Sequence, residues 1–271
     1  VEFSSILPKP KNIFYEGKIN GSIQLEKSDG LYLGSSDVSI GSFSANGNVL
    51  GDASLTIDNS LNQDSYNLEF IIKNKFNNIF DLAGVFKIED DDYPMNFKLT
   101  TRNFNIAPFS AIGENVLQNF KGYFNSDIDV TGTFFKPVFE GYINAVDSSF
   151  DVPYLGLRYG FVDDPTFTLN NQTINIKDFT LNEKKSNTSG VMSGKISHNR
   201  LKDWFLDFKI ESKNLIALNT KSSENEYYYG TGFLNGSAYF IGPGKDLDIE
   251  INGTTQELSL IHISEPTRLP G

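Results

Sequence analysis

The chain has 271 residues, no cysteine and a formal net charge of −11 at pH 7. The absence of cysteine excludes a disulfide framework, a thiolate metal site and a cysteine nucleophile. The acidic balance and the lack of any Lys/Arg cluster argue against nucleic acid as a partner, because phosphate binding needs concentrated positive charge. No apolar run approaches the ~18 residues that a membrane-spanning helix requires.

Alternation of apolar and polar residues starts near the N-terminus. Residues 1–12 contain two prolines and read as an extended or turn segment, and the first clear strand pattern lies at 18–26. After a turn at 28–30, the same pattern predicts strands at 38–43, 51–57, 66–73, 80–89, 95–101 and 104–106. Because a strand points successive side chains to opposite faces, these segments predict a sheet with one apolar and one polar face.

One segment breaks this rhythm. Residues 108–120 place their apolar side chains at helical spacing, and Pro108 and Ser110 suit a helix start. We predict a short helix here, with an apolar face that plugs or caps one end of the sheet.

The clearest strand pattern of the chain lies at 122–159. Phe124, Ile128 and Val130 fall on one parity, and the polar residues between them on the other. Further strands are predicted at 166–169, 173–178, 179–181, 191–196, 204–210, 215–218, 227–240 and 247–251. The apolar phase slips at Lys177-Asp178, which predicts a β-bulge or a tight bend there. No helix–strand alternation appears, so the sequence predicts an all-β, antiparallel meander.

No catalytic, cofactor or metal site emerges from the sequence. Asp90-Asp91-Asp92 lacks the spaced ligands of a calcium loop, and a solvated turn is the simpler interpretation. His198 has no Ser–Asp partners that we can assemble around it, so a surface loop is expected. We therefore expect a protein that is not an enzyme.

A series of short motifs resembles a known family. In chain order these are VTGT at 130–133, Pro137, GYI at 141–143, VPYLG at 152–156, the glycines of 190–194, YYYGTGF at 227–233 with Gly236, and INGTT at 251–255. In this order they resemble the C-terminal domain of the TamB family, the inner-membrane-anchored subunit of the translocation and assembly module of Gram-negative bacteria. The likeness covers residues 104–256 and is looser upstream.

This resemblance implies both a shape and a role. The sheet is expected to curl into an elongated open groove with an apolar interior, which phospholipid acyl chains would fill. The implied role is outer-membrane biogenesis: assisting assembly of outer-membrane proteins and autotransporters with a barrel partner of the Omp85 type, or moving phospholipid between the two membranes. The implied location is the periplasm, with an inner-membrane anchor in a missing N-terminal part.

The resemblance also sets the expected organisation of the chain. Residues 1–103 are expected to form an upstream groove segment and 104–257 the TamB-like segment. Residues 258–268 read LSLIHISEPTR, which matches the in-frame translation of a transposase adapter used in sequencing-library preparation. We therefore expect 258–271 not to be native, and the chain to be a piece of a longer protein.

The groove lining is expected to include apolar residues from both parts of the TamB-like segment: Phe124, Ile128, Val130, Leu155, Leu157, Trp204, Leu206, Phe208 and Ile210. Alternation alone does not distinguish such a groove from an ordinary closed core. A surface adhesin or β-solenoid that binds protein or glycan is the alternative function. An outer-membrane barrel is a third possibility, against which the uneven strand lengths and the helical interruption argue.

Overall fold

The computed structural model of the chain describes residues 13–28, 31–59, 64–75, 77–87, 94–113, 117–133, 135–199, 202–223, 229–243 and 246–254. Most of these residues lie in β-strands, and the predicted all-β fold is confirmed. The N-terminal segment 1–12, the Asp90–Asp92 turn and the tail 258–271 lie outside the described residues.

The described residues form fifteen strands and two short 3-10 helices. The strands are β1 Tyr15–Ser28, β2 Leu31–Ala45, β3 Asn48–Asp58, β4 Ser65–Lys73, β5 Asn78–Lys87, β6 Met95–Asn105, β7 Gln118–Thr133, β8 Lys136–Val152, β9 Leu157–Phe161, β10 Thr166–Asn171, β11 Thr173–Glu183, β12 Thr188–Asn199, β13 Lys202–Thr220, β14 Gly230–Pro243 and β15 Asp248–Thr254. The 3-10 helices are η1 Ala107–Gly113 and η2 Pro153–Leu155.

All the strands belong to one antiparallel sheet, and nearly every strand pairs with the next one along the chain. The exception is β9. One part of β8 pairs with β10 and the part near Val152 pairs with β9, so that the two short strands share one position between β8 and β11. The predicted meander is therefore confirmed, with one strand inserted out of order.

The predicted helix at 108–120 is only partly correct. The segment forms the 3-10 helix η1, and β7 begins at Gln118, so the helical assignment of Gln118–Phe120 is wrong. These residues form a strand and not a helix because Gln118 pairs with Asp151 of β8. The backbone N–H of Phe120 also donates to Ser110 Oγ at 2.8 Å, which ties the start of β7 back to η1.

The predicted bulge in β11 is confirmed. The register against β12 shifts between Ile176 and Phe179, and Asp178 adopts φ 53°. Because the bulge contains one extra residue, the apolar side chains before it and after it lie on the same face of the sheet.

Two strand glycines allow unusually close approach of neighbouring strands. Gly141 (φ 145°) lies opposite Ile128, and Gly194 (φ 139°) lies opposite Phe208. A Cβ atom at either position would strike the backbone carbonyl of Asp127 or Asp207 on the facing strand. Glycine is required at both positions by φ and by space.

Cross-strand register aligns the apolar residues of the whole sheet. Directly opposed residues lie on the same face of a sheet, so the apolar residues of one strand lie beside the apolar residues of the next. One line of such partners crosses the sheet from β1 to β14, and we call it the central row. Its members are Gly21, Val38, Leu55, Phe70, Leu82, Leu99, Ile128, Gly141, Leu169, Ile174, Ile196, Leu206 and Gly242.

The sheet is strongly curled. Both 3-10 helices lie at the same end of the strands, together with the β2–β3 turn, and we call this the helical end. Asn46, in the β2–β3 turn, donates from Nδ2 to the carbonyl of Pro108 at 2.7 Å. In a flat sheet the four spacings from β2 to β6 would measure about 19 Å. Pro108 lies only three residues past Asn105, a reach of about 10 Å, so the contact requires the sheet to curl.

Candidate functional site

The apolar face of the curled sheet forms an inner surface that its own side chains do not fully cover. Most apolar members of the central row are half-buried, on the upstream and downstream strands alike. Ile128 is the exception, with 4% exposure. In a face-to-face sandwich the middle of such a sheet would be the driest part. Here the middle stays partly accessible, and we call this inner surface the trough.

The trough is filled at the helical end of the upstream strands. A cluster that includes Ile40, Phe43 and Ala53 is buried there. A chain of neighbouring rings runs along it from Tyr15 through Phe43, Phe70, Phe80 and Phe104 to Phe109 of η1, with centroids 5.5–6.4 Å apart. Pro108 of η1 is fully buried. The prediction that this segment caps one end of the sheet is consistent with these contacts.

The downstream strands are closed at the same end by β9 and η2. Leu157 and Tyr159 are buried against Leu215 and Ile216 of β13. The hydroxyl of Tyr159 donates to the carbonyl of Ile216 at 2.7 Å. β9 and β13 are three spacings apart in the sheet, about 14 Å if it were flat, so this hydrogen bond also requires tight curling.

Two buried polar groups near β9 are satisfied by the protein itself. Burial raises the pKa of the Tyr159 hydroxyl, and the charge of Glu183 raises it further. Burial alone would raise the pKa of the Glu183 carboxyl, but hydrogen bonds from the Ser186 hydroxyl and backbone N–H lower it below its usual value. The carboxylate therefore caps the β11–β12 turn and Tyr159 stays neutral.

A second polar pair lies within the apolar surface itself. Thr101 and Ser126 are buried on opposed strands, and their hydroxyl oxygens are 2.9 Å apart. The Thr101 hydroxyl also bonds the carbonyl of Phe124 at 3.1 Å. Because these hydroxyls are already paired, they add little polarity to the trough.

His198 does not lie in a surface loop, and that prediction is wrong. It is 7% exposed at the end of the strands opposite the helical end. Its ring lies between Trp204, at 4.9 Å between centroids, and Phe139 of β8, at 5.9 Å. Gln172 Nε2 donates to the carbonyl of Pro137 beside them. Burial lowers the pKa of His198.

The outer face carries the charges. Lys98 pairs with Asp127 and Asp129 on the neighbouring strand, and Lys195 pairs with Asp207. These side chains are substantially exposed, so each pair contributes little stability. The outer face of the sheet is therefore polar and exposed to solvent, as the alternation predicts.

The predicted lining residues all lie on the inner side of the sheet, but in three different settings. Ile128 and Leu206 belong to the central row, and Phe124, Val130, Phe208 and Ile210 lie beside it on the same face. Leu155 and Leu157 belong to the closed cluster around Tyr159. Trp204 packs on His198.

The predicted lining residues include none from the upstream strands, although residues 1–103 were expected to form a groove segment. Val38, Leu55, Phe70, Leu82 and Leu99 continue the central row through β2–β6. Their period-two alternation was visible in the sequence. β6 itself crosses the expected boundary between residues 103 and 104.

No helix among the described residues is long and apolar enough to cross a membrane. In the same part of the chain, no group of three or more His, Asp or Glu residues is arranged to hold a metal ion. Comparison with models of known families, with curated proteins and with solved structures gives no match. The function is therefore inferred from the residues of the chain.

Proposed function

We propose that the chain is a trough-forming part of a TamB-like protein that conducts phospholipid acyl chains across the bacterial periplasm. The observation that carries this proposal is the central row, whose half-buried apolar side chains continue across both halves of the sheet. Hydrocarbon is the natural filling for such a surface. Each CH₂ removed from water contributes about 0.8 kcal/mol, so one acyl chain is held by about 10 kcal/mol before ordering costs.

The length of the central row supports a conduit over a single-lipid pocket. Its thirteen members span twelve strand spacings, a contour of roughly 60 Å when followed along the curled sheet. The hydrocarbon of one membrane leaflet is about 15 Å thick. Several acyl chains therefore fit end to end. Because apolar contacts are non-directional, a chain can move along the row without a strongly preferred register.

The same surface favours hydrocarbon over polypeptide as the occupant. The inner face presents side chains of strands whose backbone groups are already laddered to their neighbours. A polypeptide lying on it would leave its own backbone N–H and C=O groups unpaired, which is costly away from water. Assistance to outer-membrane protein assembly, with an Omp85-type barrel as partner, is thus proposed for other surfaces of the protein.

The proposed location is the periplasm, with the full-length protein anchored in the inner membrane. The net charge of −11 and the charged outer face suit a protein surrounded by water, and they oppose flat adsorption to anionic lipid.

One observation favours a second candidate, a binding module with a closed, dry core. Rings of Phe161, Phe167 and Phe179 contact one another inside β9–β11, with Phe167 and Phe179 only 4.8 Å apart. A protein filled in this way throughout would take up no lipid. The two candidates therefore differ in a measurable property.

Photo-crosslinking in cells tests the proposal. A photoreactive residue is placed at Val130 or Leu82 on the inner face, with controls at the adjacent outward residues Asp129 and Asp81. We expect lipid adducts from the inner positions and none from the controls. Equal labelling of both faces would contradict the trough, and the absence of lipid adducts from both inner positions would support the closed module. Native mass spectrometry after mild extraction gives an independent readout, because a conduit should retain phospholipid.

A further inference from the structure

The segment formed by η2 and β9, residues 153–161, lies outside the regular strand order of the downstream sheet. β9 is the one described strand off the main order of the sheet. It is paired at four positions with β8 and at two with β11. By contrast, β13 is paired with β14 from Phe205 to Thr220 and with β12 from Lys202 to Glu211. We call residues 153–161 the strap.

The strap is held to β13 mainly by side-chain contacts. Leu157 and Tyr159 bury their side chains against Leu215 and Ile216, and the Tyr159 hydroxyl bonds the Ile216 carbonyl. Gly156 follows η2 in the left-handed conformation, φ 65°, directly against the backbone of Asn219. The surface between the strap and β13 is therefore occupied by the protein's own apolar side chains.

We propose that the strap is a gate of the trough, which closes the helical end of the downstream strands and is displaced when hydrocarbon enters there. This inference rests on the proposed function. An acyl chain that replaces Leu157 against β13 exchanges one apolar contact for another, so the hydrophobic term changes little. The Tyr159–Ile216 hydrogen bond has no such replacement. It is the hydrogen bond that ties the strap to β13, while Arg158 of the strap pairs with Asp151 of β8.

The strap is the movable partner because local stability follows the number of backbone pairs and buried contacts that an element must break. Displacing β13 would break two long ladders, whereas displacing β9 breaks six pairs. The upstream strands have no equivalent device among the described residues, since η1 closes them from outside the ladder.

The test is Tyr159→Phe, which removes the hydroxyl and keeps the ring. Uptake of a dansyl-labelled fatty acid is followed by stopped-flow fluorescence, and hydrogen exchange is measured at the β9 amides. We expect uptake about fivefold faster than in the wild type, with faster exchange at β9, as loss of one hydrogen bond predicts. Tyr142→Phe, an exposed tyrosine on the outer face of β8, is the matched control and should leave both rates unchanged.

The outcomes separate the gate from the conduit. Uptake at the same rate in wild type and Tyr159→Phe overturns the gate but leaves the conduit intact, whether or not exchange at β9 rises. If neither protein takes up the fatty acid, the conduit and the gate both fail.

Discussion

The upstream and downstream halves of the sheet are closed at the same end by different means. In β1–β6 the closure lies outside the ladder, where Asn46 in a turn bonds Pro108 of η1. In β8–β14 it lies within the sheet, where β9 shares a strand position with β10 and reaches β13 through Tyr159. The first device caps a continuous set of hairpins, and the second interrupts them.

The difference shows in how each half is filled. Upstream, one buried cluster lies at the helical end and the rings from Tyr15 to Phe109 follow it along the sheet. Downstream, two buried clusters share Phe150 and Ile210 at their borders, and rings from β9, β10 and β11 meet in the interior. Upstream, the cap lies outside the ladder and the strand order stays regular, whereas downstream β9 lies within the sheet and brings its own side chains into the trough.

The largest expected effect comes from emptying one cluster at a time. Ile40 and Leu215 are each 2% exposed, in the upstream and downstream clusters respectively. We expect Ile40→Ala or Leu215→Ala to lower local stability by about 2–5 kcal/mol, as cavity formation does. Because the upstream cluster shares no residue with the downstream ones, hydrogen exchange should rise mainly in the half that carries the substitution.

Matched controls exist on the same inner face. Ile23 and Ile251 are 70% and 64% exposed, and their replacement by alanine should change stability by less than about 0.5 kcal/mol. If Ile40→Ala instead raised hydrogen exchange equally in both halves, the sheet would unfold as one unit. The two halves would then not differ in local stability.

Much of this fold could be predicted from the sequence because its determinants are local. The strands, their two faces and the bulge at Lys177-Asp178 all follow from period-two alternation, which each strand displays by itself. The charges at Lys98 and Asp129 were equally clear markers of the outer face.

The remainder depends on curling, which no short window of sequence records. His198 sits among polar neighbours in the chain, but curling brings Phe139 and Trp204 onto its ring. Leu155 and Leu157 continue an alternating pattern, yet Leu155 lies in η2 and only Leu157 starts β9. The spacing of residues 108–120 is helical in appearance, and pairing with β8 overrides it from Gln118 onward.

An intermediate effect is expected from breaking the upstream tie. In Asn46→Asp the side-chain shape and the acceptor for the Phe14 N–H remain, but the donor to the Pro108 carbonyl is lost. A carboxylate oxygen then faces a carbonyl oxygen. We expect a loss of about 1–3 kcal/mol in urea unfolding, with faster hydrogen exchange at Phe109. Asn67→Asp, an exposed site on β4, makes the same charge change and should be nearly silent.

The smallest expected effect is a pH dependence that belongs to the downstream half. Burial lowers the pKa of His198 in the folded protein below the ordinary value of about 6.5 that it has when unfolded. Above that pH the His198 side chain is neutral in both the folded and the unfolded state, so it adds nothing to the pH dependence of stability. As the pH falls through this value, the unfolded chain binds the proton more readily, so folded stability decreases until the folded-state pKa is passed.

His198→Phe keeps a ring between Phe139 and Trp204 and cannot titrate. Urea midpoints of wild type and variant should therefore diverge as the pH is lowered from neutral, with the wild type losing more stability. His262 is present in both proteins and cancels in the difference. Parallel profiles would mean that the folded protein accommodates protonated His198 where it lies, and would contradict this prediction.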